Sequence, residues 1–153
     1  MNGSNEDPLG KGTFVGLTAF HIKKHMLRAV YEGIVFSHVT HVKKLLKNCN
    51  VPKSIRLSGG AANSDVWVQI FADTLQIPID VIENKEFGAQ VAAMAAGIAV
   101  RIYENYQEAV ARTVKITKTI EPRPEYKEIC EEKYATYRAV IDSMSSVWSR
   151  FKN

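Results

Sequence analysis

The stretch Ile55-Arg56-Leu57-Ser58-Gly59-Gly60-Ala61-Ala62 places two glycines between a strand-like apolar run and a helix-like pattern. Glycine adopts backbone angles that a Cβ forbids, and it lets a ligand approach the main chain. The N-terminus of a following helix adds unpaired N–H groups and a partial positive charge. Nucleotides bind at such positions in many α/β folds, although an ordinary βα turn has the same pattern. Gly59 and Gly60 are therefore candidate nucleotide contacts, and their neighbours must decide between the two interpretations.

The residues on either side of the glycines predict a strand, a helix and a second strand. Residues 54–58 are typical of a short buried strand, and residues 77–82 of a second strand. Between them, apolar side chains recur at helical spacing, and Trp67 and Phe71 among them are expected in the core rather than stacked on a base. A strand–helix–strand unit of about 30 residues normally pairs its strands in parallel. The sheet is expected to be at least partly parallel.

Three more helices are predicted along the chain. Residues 18–48 carry a long helical pattern that ends before Pro52, and residues after Pro124 form an amphipathic helix. Between them lies an alanine-rich helix for which Asn84 is the expected N-cap. Its many small side chains predict close packing against the sheet. Residues 1–12, rich in Gly, Asn, Asp and Pro, are expected to form an extended lead-in.

Composition narrows the class of protein. The 153 residues, 46% of them hydrophobic, suffice for one globular domain. The net charge is +4, but the basic residues are scattered along the chain. Their densest run, residues 43–47, is typical of a solvated helix face rather than a nucleic-acid site. No apolar run approaches the ~20 residues of a membrane span. Cys49 and Cys130 lie far apart, which suits reduced thiols. These features predict a cytoplasmic protein with neither nucleic-acid nor membrane partners.

Common catalytic and metal-binding motifs are absent from the sequence. It contains no Walker A loop, no G-x-S-x-G turn and no zinc-type cysteine spacing. Two histidine pairs, His21 with His25 and His38 with His41, have spacings that could share a helix face, but neither has a third ligand nearby. Ordinary positions on a helix explain these histidines better, so we expect no metal site. Because the catalytic motifs are absent, we also expect no catalytic residue in this chain.

Four blocks, in order and with matching spacing, resemble the C-terminal domain of the FGGY carbohydrate kinases. The first joins Gly12-Thr-Phe-Val-Gly-Leu17 to His25-Met26 and Ala29-Val-Tyr-Glu32. The second is Ser58-Gly-Gly-Ala61 with the helix behind it, the third is the helix that starts at Glu86-Phe-Gly-Ala89, and the fourth is Pro122-Arg-Pro-Glu125 with its tyrosine-rich helix. Within the family, residues 3–5 and 28–38 are most similar to the L-xylulose kinase type of pentulose kinase.

This resemblance implies an actin-like, ribonuclease-H-like α/β ATPase domain, helix-rich and with a short, mostly parallel sheet. The family phosphorylates a sugar hydroxyl with ATP and Mg²⁺, and the general base is an aspartate of an N-terminal domain. Residues 1–153 correspond to part of the second domain only. The N-terminal domain and its aspartate are thus missing from the chain, which is expected to be inactive alone and to carry one wall of the ATP cleft.

The resemblance also implies roles for individual residues. Gly59, Gly60 and Ala61 would lie against ribose and adenine through main-chain contacts, and Asn63 or Ser64 could hydrogen-bond the base. Both of these polar residues are also natural helix N-caps, which alone would explain them. One departure from the family pattern is Val91, which stands where a glycine is usual and would push against a neighbouring element or move the helix from the nucleotide.

Two other functions remain open from the sequence. A non-catalytic actin-like domain could bind ATP as a switch or assembly module, although the signature from Gly12 to Glu32 favours the kinase. Alternatively, the chain could be an interaction domain that forms a homo-oligomer through an exposed apolar face or an unpaired sheet edge.

Overall fold

The computed structural model describes residues 10–83 and 86–151, which fall into two compact units. Unit 1 contains the residues up to Asn50 and those from Glu125 onward, and unit 2 is Val51–Pro124. Unit 1 holds α1 (Lys23–Leu46) and α5 (Lys127–Met144). Unit 2 holds, in chain order, β1 (Ile55–Leu57), α2 (Asp65–Leu75), β2 (Ile79–Ile82), α3 (Phe87–Ala99), α4 (Tyr106–Thr113) and β3 (Ile116–Ile120). Within the described ranges, no helix has both the length and the apolar character to cross a membrane.

Unit 1 is built on aromatic packing between α1 and α5, the two long helices that the sequence predicts. The ring of Phe36 lies 5.9 Å from that of Tyr134 and 5.4 Å from that of Tyr137, measured between centroids. The Tyr134 hydroxyl hydrogen-bonds the Thr40 hydroxyl at 3.0 Å, and the Lys43 ammonium lies 4.1 Å from the Tyr134 ring centroid. Tyr134 of α5 therefore packs against an aromatic ring, hydrogen-bonds a hydroxyl and contacts a cation of α1.

The first pair of histidines lies at the start of α1. The Nδ1 atom of His21 accepts the backbone N–H of Thr18 at 3.0 Å, and that of His25 accepts the backbone N–H of Ile22 at 3.3 Å. The first N–H groups of a helix have no partner within the helix, so side-chain acceptors there stabilise its start. The His25 ring therefore caps the N-cap residue of α1, and the His21 ring accepts a hydrogen bond in the turn before the helix.

The sheet of unit 2 has the strand order β1-β2-β3 and is mixed. β1 and β2 pair in parallel, as predicted, with Ile55 beside Ile79. β3 pairs with β2 in the antiparallel direction and was not predicted, so the sheet is not mostly parallel. β2 is buried along its whole length, whereas β1 is only half-buried and not the fully buried strand expected.

A buried carboxylate joins the three strands. Asp80, in the central strand, lies between Arg56 of β1 and Thr119 of β3 in the strand register. It accepts hydrogen bonds of 2.6 Å from the hydroxyls of Ser54 and Thr119. These two bonds, the Ser54 bond foremost, and the positive charge of Arg56 hold the pKa of Asp80 below its ordinary value. The strands are thereby tied through side chains as well as through the backbone.

A second buried carboxylate, Asp73 of α2, anchors the segment that follows β3. It accepts the Arg123 backbone N–H at 2.9 Å, the Arg123 guanidinium at 2.6 Å from one terminal nitrogen, and the Gln69 amide at 2.9 Å. Burial alone would raise the pKa of Asp73, but the hydrogen bonds and charge of Arg123 outweigh it and the pKa lies below its ordinary value. Gln69 also donates to the Glu121 carbonyl at 3.0 Å.

The alanine-rich helix α3 differs from its prediction. The expected cap, Asn84, lies outside the described residues. Of the helix side chains, Met94 is buried, together with the backbone of Gly97, while most of the alanines are exposed. Within unit 2, α3 is joined to α4 by a hydrogen bond of 2.8 Å from the Gln90 amide to the Thr113 carbonyl. Because small side chains fit an exposed surface as readily as a tight interface, composition alone could not separate the two cases.

The anchor at Asp73 is testable by substitution and by pH. Asp73→Asn keeps the shape but removes the charge that Arg123 requires, and it should cost about 2–4 kcal/mol of unfolding free energy at pH 7. The folded pKa is depressed, so this contribution is fully present above the unfolded value of about 4 and is lost as pH falls below it. Denaturant unfolding at pH 7 and pH 3 should therefore show a smaller mutational cost at the lower pH.

The matched control for this experiment is Asp142→Asn in α5. Asp142 makes only an exposed helix pair with Arg138 at 3.4 Å, so its loss should change stability by less than about 0.5 kcal/mol. Equal costs for Asp73→Asn and Asp142→Asn at pH 7 would contradict the anchoring role of Asp73.

The close approach of Tyr103 to α3 at Gly97 gives a second prediction. A Cβ added at Gly97 would lie 2.7 and 2.8 Å from two ring atoms of Tyr103, so Gly97→Ala should destabilise the chain by about 1–3 kcal/mol. At Gly33, inside α1, a Cβ meets no atom within 4 Å, and Gly33→Ala should stabilise by up to about 1 kcal/mol. Thermal melting of both variants measures the difference, and equal melting temperatures would show that Tyr103 gives way without cost.

Candidate functional site

A cleft of about 580 Å³ opens in unit 2 where the parallel strands β1 and β2 end. It is lined by residues that follow β1, by the end of β2 and the residue after it, and by β3: Gly59, Gly60, Ala62, Asn63, Val81, Ile82, Glu83, Thr117 and Lys118. In open α/β sheets, ligands bind outside the carboxyl ends of parallel strands, because the turns there converge. The volume lies within the range of small-molecule sites, roughly 300–1,000 Å³.

The glycine pair forms the floor of this cleft, and its two members differ in conformation. Gly59 has φ +84°, a value that L side chains rarely adopt, so the turn requires glycine there. Its carbonyl accepts the N–H of Ala62 at 3.1 Å. Gly60 has no such backbone strain, and a Cβ built on it meets no atom within 4 Å. Any side chain at Gly60 would therefore stand in open cleft space rather than against the protein.

The other predicted site residues separate into two groups. Residues Gly60–Asn63 form a 3-10 turn, so α2 does not follow the glycines directly but begins at Asp65. Asn63 lines the cleft. Ser64 is the N-cap of α2, with its hydroxyl accepting the Trp67 N–H at 3.4 Å, and its own N–H donates to the Ala61 carbonyl at 3.2 Å. The structure thus brings Gly59, Gly60 and Asn63 to the cleft, while Ala61 and Ser64 form the turn behind it.

Two charged side chains of the cleft were missed by the sequence prediction. Glu83 follows β2 directly, and Lys118 belongs to the unpredicted strand β3, where it forms an ion pair with Asp65 at the start of α2. The hydroxyl of Thr117, also in the cleft wall, donates to the Val81 carbonyl at 3.0 Å. The enrichment of β-branched residues at 116–120, four positions of five, is a strand signal that could have revealed Lys118.

The groups in the cleft can bind a ligand. Among its described lining residues are main-chain groups, an amide, a carboxylate and an amine, with no serine or cysteine nucleophile beside a base. In the part of the chain that the structure describes, no three His, Cys, Asp or Glu side chains form a group that could hold a metal ion.

Several side chains flanking the cleft have structural roles. Phe71 is buried, Trp67 is half-buried, and neither lines the cleft, as expected for core residues. Val91, the departure from the family pattern, is 40% exposed on α3 and meets the solvent rather than crowding a buried neighbour.

Comparison with known proteins identifies the family. Residues 2–100 match the model described as "FGGY family of carbohydrate kinases, C-terminal domain", which confirms the resemblance predicted from the four sequence blocks. The L-xylulose/3-keto-L-gulonate kinase of Escherichia coli is 33% identical over 152 residues, which are 99% of this chain and 30% of that protein. This similarity agrees with the expected likeness to the L-xylulose kinase type.

Solved structures support the predicted actin-like fold. A ligand-bound xylulose kinase from Lactobacillus acidophilus has a TM-score of 0.85 and 27% identity, over 95% of this chain and 30% of that one. Glycerol kinase from Plasmodium falciparum, crystallised with ADP, has a TM-score of 0.67 and 21% identity over 84% of this chain and 26% of that one, and shows likeness of fold alone. The chain spans about a third of the length of the relatives that it matches.

Proposed function

This chain belongs to the FGGY family of carbohydrate kinases, because most of it matches the family's C-terminal domain. We propose that it carries part of a kinase's ATP-binding cleft. In this proposal Gly59 and Gly60 present main chain to the nucleoside, Ala61 supports them from the turn behind the cleft, and Asn63 hydrogen-bonds the base. Ser64 positions the turn as the cap of α2, with a direct hydrogen bond to the base as its alternative role.

The observation that carries the proposal is the open space above Gly60. Gly60 lines the cleft, and the lack of a Cβ there leaves its main chain accessible to a ligand. The cleft lies at the carboxyl ends of the two parallel strands, and the positive φ of Gly59 holds the turn in place. These three features coincide at the glycine pair that the sequence singled out.

The complete reaction would need groups that this chain does not supply. We propose that residues 1–153 act as the later part of the second domain of a cytoplasmic kinase that phosphorylates a hydroxyl of a pentulose, with L-xylulose the leading candidate. The general base and most sugar contacts would come from an N-terminal domain. Mg²⁺ would come with the nucleotide's phosphates, which supply most of its ligands in such kinases. The isolated chain should bind nucleotide without phosphorylating sugar.

Calorimetric titration with ADP and Mg²⁺ tests this proposal. The wild-type chain should bind ADP saturably, and Gly60→Val should abolish the binding, because the added side chain occupies ligand space and its Cβ meets no protein atom within 4 Å. Gly12→Val is the matched control, since a Cβ at Gly12 also meets no atom within 4 Å and Gly12 belongs to unit 1 and does not line the cleft. In a complete kinase the same substitution at Gly60 should raise the KM for ATP by at least about tenfold.

Unchanged ADP affinity in Gly60→Val would contradict the assignment of the cleft. Equal losses in Gly60→Val and Gly12→Val would show that valine acts on the fold rather than on a binding site. Circular dichroism of both variants separates these two outcomes.

A second candidate function is self-association, which the exposed apolar side chains of unit 1 favour. Phe20 exposes 89% of its surface, and Phe14, Val15, Leu17 and Ile22 each expose about half. A cluster of large apolar side chains in water is typical of an interaction surface. We propose that a second copy of this chain covers these residues when the chain is alone in solution.

Light scattering at high protein concentration tests the association. The wild-type chain should have the mass of a dimer or larger species, and Phe20→Glu should shift it towards the monomer, because a charge cannot be buried without a partner. A wild-type monomer at every concentration would exclude a homo-oligomer.

A further inference from the structure

Glu83 occupies a special position in the topology of the cleft. The chain runs from β1 through the glycine turn to α2 and β2, and Glu83 is the first residue after β2. It follows Gly60 by about 20 residues, and both residues line the same cleft. A carboxylate therefore stands at the end of the strand next to the one that carries the glycine turn.

This placement has a known chemical use in parallel α/β sheets. Where a glycine turn after one strand receives a nucleotide, an acidic residue at the end of the neighbouring strand lies within reach of the ribose. A carboxylate accepts hydrogen bonds from the two ribose hydroxyls, and such charge-assisted bonds are stronger than bonds between neutral groups. Glu83 has both the chemistry and the position for this contact.

Two local features leave the Glu83 carboxylate available to a ligand. Its backbone N–H donates to the Lys115 carbonyl at 2.9 Å, which fixes the residue beside β3. Its side chain is exposed and has no hydrogen-bond or ion-pair partner among the residues that the structure describes. The nearby cation of the cleft, Lys118, is paired with Asp65 and so does not neutralise Glu83.

We propose that Glu83 accepts hydrogen bonds from the 2′- and 3′-hydroxyls of the nucleotide's ribose and makes the chain selective for ribonucleotides over 2′-deoxyribonucleotides. This inference rests on the proposed nucleotide cleft and adds a specificity-determining residue to it. Lys118 also lines the cleft, but its ion pair with Asp65 keeps it from drawing the carboxylate away from the sugar.

Competing titrations with ADP and 2′-deoxy-ADP test this role. The wild-type chain should prefer ADP by on the order of tenfold, the effect of one hydrogen bond to a charged group. In Glu83→Ala the two nucleotides should bind with equal affinity, and Glu83→Gln, which keeps an acceptor oxygen without the charge, should have an intermediate preference. Glu104→Ala is the control, because it removes the same charge from an exposed residue of unit 2 that does not line the cleft.

The ratio of the two affinities separates this inference from the proposed function. If the wild-type chain binds ADP and 2′-deoxy-ADP equally, or if Glu83→Ala keeps the wild-type ratio, the role of Glu83 is overturned while the nucleotide cleft stands. If the wild-type chain binds neither nucleotide, both proposals are overturned. A general loss of structure in Glu83→Ala would weaken both affinities together and would leave Glu83→Gln to decide the ratio.

Discussion

The hydrogen bonds between Asp73 and Arg123 are the interaction on which the geometry of unit 2 depends most. Asp73 is buried in α2, and Arg123 lies just beyond the end of β3. Through the Arg123 backbone and guanidinium, one carboxylate fixes the position of the chain that leaves the sheet. Because β3 supplies Thr117 and Lys118 to the cleft, an interaction at the far end of α2 also determines where the third wall of the cleft lies.

The first turn of α2 bears on the same cleft from the other side. Its cap, Ser64, closes the turn that begins at the glycines, and Asp65 pairs with Lys118 across to β3. The start of α2 thus joins the glycine turn to β3, and the far end of α2 holds the segment that follows β3. A buried charge costs free energy unless it is paired and hydrogen-bonded. Asp73 of α2 is both paired and hydrogen-bonded through Arg123, and Asp80 of β2 accepts hydrogen bonds from Ser54 and Thr119, so unit 2 can hold two buried carboxylates.

Sequence patterns predicted the parts of the fold that have strong periodicity or special backbone requirements. α1 and α5 follow from repeated apolar positions, and the turn at Gly59 follows from the backbone angles that only glycine tolerates readily. β3 was missed because its side chains are mostly exposed, so that it lacks an apolar face, although its β-branched residues favour a strand. The short helix α4 was missed as well, since eight residues provide barely two turns of periodicity.

The sequence predicted only those residues of the candidate site that belong to a recognisable local motif. The glycine pair and Asn63 were found from the sequence, whereas Glu83 and Lys118 reach the cleft through strand pairing that local patterns do not encode. Amino-acid composition could not predict the exposure of α3 either, because alanine is compatible with both a buried and a solvated helix face. The choice between Asn63 and Ser64 as helix cap depended on the 3-10 turn, which shifts the start of α2 by several residues.

Nuclear magnetic resonance of the ¹⁵N-labelled chain during titration with ADP tests the central claim most directly, because it locates binding residue by residue. We expect the largest amide shifts at Gly59, Gly60, Asn63, Glu83 and Lys118, with little change in unit 1. Saturable shifts confined to α1 and α5, or no shifts at millimolar ADP, would contradict a nucleotide cleft at the carboxyl ends of β1 and β2.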